Sequence, residues 1–88
     1  MSKVSNMVSR HSGRKVANQF VVLEKDGKVF QSHDLIVSRI SKGQVFLAPN
    51  WDRLAVTRKY LAQFLGEDTE TTRAKIDNGT YRVEPLTV

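Results

Sequence analysis

WDRLAVTRKYLAQFLGEDTETTRAKIDNGTYRV, residues 51–83, contains the only tryptophan of an 88-residue chain and both of its tyrosines. Leu61, Phe64 and Leu65 follow Leu54 at offsets of seven, ten and eleven, which is the spacing of one apolar helical stripe. A second, shorter helical segment follows. The stretch therefore predicts two helices whose apolar sides cover another part of the chain.

Capping residues indicate where these helices begin and end. Asp52 or Thr57 is the expected N-cap of the first helix, and Gly66 is its expected left-handed C-cap. Asp68-Thr69-Glu70 predicts the start of the second helix, because an acidic first turn complements the helix dipole. Asn78-Gly79 predicts its end.

Before this stretch the apolar residues follow a period of two, which is typical of strands. Residues 19–24, 29–32, Leu35–Ser41 and 44–48 predict a four-stranded meander. Asp26-Gly27 predicts a hairpin with a type I′ turn, in which both central residues have positive φ. Ser41-Lys42-Gly43 predicts the last turn of the meander.

Two details complete the predicted sheet. In the third strand we place Ile36 and Ile40 on one face, with Val37 and Arg39 on the other. Residues 80–83 resume strand chemistry, so they can add a C-terminal edge strand. The predicted fold class is α+β, a small antiparallel sheet covered by two short helices.

The net charge of +5 is concentrated at the N-terminus. Residues 1–15 hold four of the fourteen basic residues and no acidic ones, which leaves ten basic against nine acidic residues in the remainder. We expect residues 1–15 to be a flexible basic arm and residues 16–88 to be a single domain. The arm either contacts phosphates or an acidic partner, or is a solvated terminus. Its nucleic-acid candidates are Lys3, Arg10, Arg14 and Lys15.

The chain contains no convincing catalytic or metal-binding pattern. Ser32-His33-Asp34 has the residue types of a hydrolytic triad, but consecutive side chains on an extended chain point to alternate sides. We expect a corner in which Ser32 or Asp34 bonds local backbone. His11 and His33 have no second ligand at metal-binding spacing. The prediction is a non-enzymatic protein without a cofactor or metal.

Aromatic and basic residues are interleaved at the start of the first predicted helix. They are Trp51, Arg53, Arg58, Lys59 and Tyr60. This mixture suits a protein interface or a stacking surface for single-stranded nucleic acid. Alternatively, the two rings anchor the helix to the sheet while the basic side chains face water.

These residues also carry a resemblance. Its motifs are Asn18-Gln19-Phe20, Phe30-Gln31-Ser32, Trp51-Asp52, Thr57-Arg58-Lys59-Tyr60, Gln63-Phe64-Leu65-Gly66 and Lys75-Ile76-Asp77-Asn78-Gly79-Thr80-Tyr81. Their order and spacing resemble a family of small uncharacterised proteins encoded by phages and prophages. Members usually carry an aromatic residue at the position of His33 and a tyrosine-serine pair near Arg53 and Leu54, and the chain departs from both.

The resemblance implies a host-cell context rather than a reaction. Small phage proteins of this kind often bind a host macromolecule stoichiometrically and block it, so the leading hypothesis is a cytoplasmic binding protein that modulates or inhibits a host protein. The alternative is a nucleic-acid-binding protein that uses the arm and the surface between Trp51 and Tyr60. A virion-associated component is a third hypothesis. No segment of the sequence is typical of a membrane span or a signal peptide.

Overall fold

Five strands follow one another as an antiparallel meander, and the chain then forms two helices and a short final strand. The computed structural model describes residues 3–9 and 12–86. The elements are β1 (Lys3–Val8), β2 (Lys15–Glu24), β3 (Gly27–Ser32), β4 (Leu35–Ser41), β5 (Gln44–Leu47), α1 (Ala55–Leu65), α2 (Thr69–Asp77) and β6 (Arg82–Val83). The sheet order is β1-β2-β3-β4-β5-β6, with β6 parallel to β5. The α+β prediction is confirmed.

The N-terminal segment differs from the prediction. Lys3–Val8 is not a flexible arm but an edge strand, and β2 begins at Lys15 rather than at residue 19. Met7 explains the ordering, because its side chain is buried in the core while the pairing with β2 shifts register between Asn6 and Val8. A bulged strand lacks a regular apolar alternation, so the sequence pattern did not reveal it.

The hairpin turns use glycine for two different reasons. β2 and β3 pair as predicted, but neither Lys25 nor Asp26 has a positive φ, so the turn is not type I′. Gly27 is instead required by a close approach, since a Cβ there would overlap the carbonyl oxygen of Ile40. The consecutive positive φ angles expected of type I′ occur at Lys42 (51°) and Gly43 (81°) between β4 and β5.

A bulge in β4 corrects the predicted assignment of its two faces. Phe30 pairs with Ser38 and Gln31 pairs with Ile36, which leaves Val37 between the two pairs. Val37 therefore joins the core cluster, and Ile40 packs against the same cluster. The expectation that Val37 and Ile40 lie on opposite faces is wrong, because one extra residue reverses the alternation.

Both helices pack on one face of the sheet. Leu61 and Phe64 of α1 are buried in the cluster that holds Phe30 and Leu47, and Ile76 of α2 packs against it. The rings of Phe30 and Phe64 are stacked with centroids 5.6 Å apart. Burial of such side chains supplies roughly 1.5–3 kcal/mol each, so this cluster holds the helices on the sheet.

The helix ends agree only in part with the predicted caps. Leu54 is the N-cap of α1 and provides no side-chain hydrogen bond, so neither Asp52 nor Thr57 caps this helix. Leu54 is also 49% exposed and does not belong to the buried stripe. Gly66 ends α1 at φ 73°, and the Asp68 carboxylate caps α2 by accepting from the Thr71 N–H at 2.7 Å, both as predicted.

Candidate functional site

The residues of the Ser-His-Asp run are held apart by a tight turn. The Ser32 hydroxyl lies 3.1 Å from the Thr57 hydroxyl of α1, and both residues are buried. His33 is exposed at φ 55°, with its backbone N–H donating to the Asn18 carbonyl at 2.6 Å. Ser32 thus ties the turn to α1 instead of bonding local backbone, which corrects that expectation.

The two aromatic rings of the predicted contact surface are core side chains. Trp51 is 5% exposed and Tyr60 is 6% exposed, and both belong to the core cluster. The Arg73 guanidinium lies 5.2 Å from the Trp51 ring on its outer side. The two rings therefore anchor the helix to the sheet. The predicted stacking surface is wrong, because neither ring is available to a base.

The basic residues of that surface have different environments. The Arg58 guanidinium donates to the Asp52 carbonyl at 2.6 Å, which holds it against the segment before α1. The Lys59 ammonium lies 5.4 Å from the Tyr60 ring, and Lys59 and Arg53 are both exposed. Arg53 and Lys59 therefore remain accessible to a partner, whereas Arg58 is engaged within the chain.

Arg53 also lines a cleft beside the start of α1. The cleft has a volume of about 330 Å³ and lies between the β3–β4 turn and the helix. Its apolar walls are Leu35, Val37 and Leu54, and its polar lining includes His33. Leu35 is 56% exposed at the rim. The cleft is concave and largely apolar, but among its lining residues no nucleophile is hydrogen-bonded to a base.

Three of the four nucleic-acid candidates of the N-terminus lie among the described residues of the first hairpin. Lys3 begins β1, Arg10 lies outside the described residues, as does His11, and Lys15 begins β2. Arg14 and Lys15 are exposed. The Arg14 carbonyl accepts from the Ser9 N–H at 2.9 Å, which closes the turn. The charges of Arg14 and Lys15 are consequently presented on an ordered hairpin.

The face of the sheet opposite the helices carries a row of side chains that the sequence pattern did not predict. Direct cross-strand pairs connect six residues, one from each strand: Val4, Val22, Val29, Arg39, Phe46 and Arg82. Paired residues project to the same face, so the row crosses the entire sheet. We call these six residues the open-face row.

The open-face row is separate from the cluster that the helices cover. None of its members belongs to the core cluster or to the side chains packed against that cluster. The neighbouring row, which includes Val21, Phe30 and Leu47, faces the helices. Val29 is 3% exposed at the centre of the open-face row, and Val4 is 61% exposed at its edge. A second pair on this face, Phe20 with Gln31, extends the surface.

The two arginines of the open-face row differ in their ion pairing. The Arg39 guanidinium lies 3.7 Å from the Glu24 carboxylate, and both side chains are partly exposed. Arg82 is exposed and has no salt bridge among the described residues. Phe46 pairs directly with Arg39 on one side and with Arg82 on the other, and the Arg39 side chain reaches across β3 to Glu24 of β2. The sequence signal for this row was the continuous apolar run of residues 20–23 in β2, which places apolar side chains on both faces of the sheet.

A polar cluster on the helical side has a structural role. The Lys75 ammonium lies 3.1 Å from the Glu67 carboxylate, whose other oxygen accepts from the Thr72 hydroxyl at 3.3 Å. The Tyr81 hydroxyl donates to the same carboxylate. The hydrogen bond to Glu67 raises the pKa of Lys75, and burial raises the pKa of Tyr81. The cluster fastens the chain after α2 to the turn between the helices.

Within residues 3–9 and 12–86, no three histidine or acidic side chains come close enough together to hold a metal ion. Neither α1 nor α2 has the length and apolar character of a membrane-spanning helix.

Comparison with known proteins adds no named relative to these observations. No family model, curated protein or solved structure matches the chain.

Proposed function

We propose that the protein is a phage-encoded, non-catalytic binding protein that modulates or inhibits a host macromolecule in the host cytoplasm. A host protein is the favoured target. The phage assignment rests on the motif resemblance between residues 16 and 83, and the family that it indicates has no assigned enzymatic activity. Stoichiometric binding is the mode of action that this context and an 88-residue chain suit best.

The open-face row is the observation that supports a protein target. An antiparallel sheet commonly has one solvated face, but that face is then polar. Here four of the six residues in the row are apolar, namely Val4, Val22, Val29 and Phe46. Val4 is exposed, Val22 and Phe46 are half-buried and Val29 is buried. Contiguous apolar area that reaches the surface marks interaction sites on small soluble proteins. The row therefore supplies a surface for a partner without any need for a catalytic group.

Affinity purification from host cells, with and without nuclease treatment, tests this function. We expect one host protein to be recovered in a near-equimolar amount, and to be retained after the nucleic acid has been digested. Purification of the same tagged chain in 1 M NaCl checks whether apolar contacts contribute, since screening weakens purely electrostatic association. Recovery of no stoichiometric protein in either preparation would contradict the proposal.

Nucleic acid is the alternative partner, and exposed Arg14 and Lys15 are the observation in its favour. The structure removes the proposed stacking contribution, because the rings of Trp51 and Tyr60 are buried. This alternative predicts that the retained material disappears after nuclease treatment. It also predicts that affinity for DNA or RNA falls steeply with salt, and that Arg14→Glu together with Lys15→Glu eliminates binding.

A further inference from the structure

We propose that the open-face row binds a host protein surface on which a carboxylate lies beside apolar side chains, with Arg82 as the residue that pairs with the carboxylate. This inference rests on the proposed function and specifies the chemistry of its partner. It concerns the sheet face, whereas Arg53 and Lys59 belong to the helical side.

The positions of the two arginines determine the kind of group that fits. Arg39 and Arg82 both pair with Phe46, one from each neighbouring strand. Adjacent strands are about 4.8 Å apart, so the Cα atoms of Arg39 and Arg82 lie one strand to either side of Phe46. Glu24 already lies beside Arg39, at 3.7 Å, whereas Arg82 has no salt bridge among the described residues. The row thus has one positive charge to be neutralised by a partner.

The remaining side chains favour a protein over a nucleic acid as the occupant. Val4, Val22 and Val29 continue the row away from the arginines. Aliphatic β-branched side chains pack against other aliphatic groups, whereas bases are bound by stacking on aromatic or guanidinium planes. Phe46 is the one aromatic member of the row, and the accessible aliphatic side chains of Val4 and Val22 match an apolar protein surface. Arginine is also one of the residue types enriched at the hot spots of protein interfaces.

A photo-crosslinking experiment locates the contact and captures the partner in the same step. The photoreactive residue p-benzoylphenylalanine replaces Phe46 in one full-length variant and Val4 in a second, which guards against a folding defect at the more enclosed position. In the control it replaces Val56, which is 42% exposed on α1. Each variant is irradiated in host cells, and nuclease-treated lysate is then analysed for crosslinked host peptides.

Charge reversal on the same chains tests the role of the arginine. Arg82→Glu is compared with Lys59→Glu, which makes the same change of charge at an exposed position on α1. We expect crosslinks from Phe46 and Val4 to a single host protein, at peptides that contain Asp or Glu. We expect Arg82→Glu to reduce their yield about tenfold and Lys59→Glu to leave it unchanged.

Other outcomes overturn the inference in distinguishable ways. Crosslinks from Val56 alone would contradict the sheet-face site while leaving a host-protein partner in place. Crosslinks to a second copy of the chain or to nucleic acid would identify a different occupant. Equal effects of Arg82→Glu and Lys59→Glu would eliminate the specific carboxylate contact. A complete absence of crosslinks from all three positions would contradict both this inference and the proposed function.

Discussion

The hydroxyl of Tyr81 donates a hydrogen bond to the carboxylate of Glu67, fourteen residues earlier in the chain. Lys75 of α2 bonds the same carboxylate oxygen at 3.1 Å. Because Tyr81 immediately precedes β6, this bond positions the strand that presents Arg82 on the open face.

Removal of the Tyr81 hydroxyl is predicted to weaken the fold. Tyr81→Phe keeps the ring and deletes a hydrogen bond to a charged group, so the free energy of unfolding should fall by about 1.5–3 kcal/mol. Denaturant titration followed by circular dichroism measures the change. Glu70→Gln is the control. Glu70 is exposed on α2, so this substitution should alter the free energy of unfolding by less than about 0.5 kcal/mol. Equal effects of the two changes would contradict the assigned role.

The same cluster predicts a loss of stability at alkaline pH. The pKa of Tyr81 is raised by burial, and that of Lys75 is raised mainly by its bond to Glu67. A raised pKa in the folded state means that the folded protein holds the proton more tightly. Stability from both groups is therefore complete below their ordinary values and lost as pH rises above about 10. Tyr81→Phe should make the decline less steep in denaturation midpoints measured from pH 8 to 11. An unchanged slope would exclude this contribution.

Gly27 and Gly43 are predicted to differ in their tolerance of alanine. A Cβ at Gly27 would overlap the Ile40 carbonyl, so Gly27→Ala requires the β3 and β4 backbones to separate. We expect a loss of about 3 kcal/mol or failure to fold. Gly43 has open space around it and a φ of 81°, so Gly43→Ala should cost about 1–2 kcal/mol through backbone strain alone. Thermal unfolding of both variants measures the two losses of stability. A larger loss for Gly43→Ala than for Gly27→Ala would contradict the register of β3 against β4.

The Ser32 and Thr57 hydroxyls are predicted to be energetically coupled. They lie 3.1 Å apart and both residues are buried. Ser32→Ala or Thr57→Val alone leaves one polar group without its partner, at a cost of about 1–3 kcal/mol. The double variant removes both groups, so its loss should be smaller than the sum of the single losses. A double-mutant cycle by denaturant unfolding measures the difference, and strict additivity would show that the hydroxyls do not interact.

Local turn and helix signals predicted much of the fold. β4 has the bounds predicted from its composition, and Gly66 and Asp68 cap their helices as expected. Two errors in the sheet have a common physical origin in bulges. The bulge at Val37 reverses the alternation of side chains along β4. The register shift beside Met7 leaves β1 without a regular apolar pattern, so its residues were predicted to be a flexible arm. An irregular strand is recognised only through its partner, which local periodicity does not contain.

The candidate site was less predictable than the fold. The concentration of Trp51 and Tyr60 among basic residues suggested a contact surface, but side-chain packing placed both rings in the core. The open-face row combines residues from six strands, and its members are up to 78 positions apart, from Val4 to Arg82. Such a row can be recognised only when the register of every strand pair is known. The uninterrupted apolar run of residues 20–23 in β2 indicated that both faces of this strand are apolar, but not which one the helices cover.

Substitution of Val4 tests the binding role of the open face most directly. Val4→Glu introduces a charge at the 61% exposed end of the row, and Val56→Glu makes the same change on α1 at a 42% exposed position. Both variants should retain the native circular dichroism spectrum. In quantitative capture from nuclease-treated host lysate, we predict that Val4→Glu recovers at least about tenfold less of the stoichiometric host protein than wild type, while Val56→Glu recovers the wild-type amount. Undiminished capture by Val4→Glu, or loss only with Val56→Glu, would contradict the assignment of binding to the open-face row.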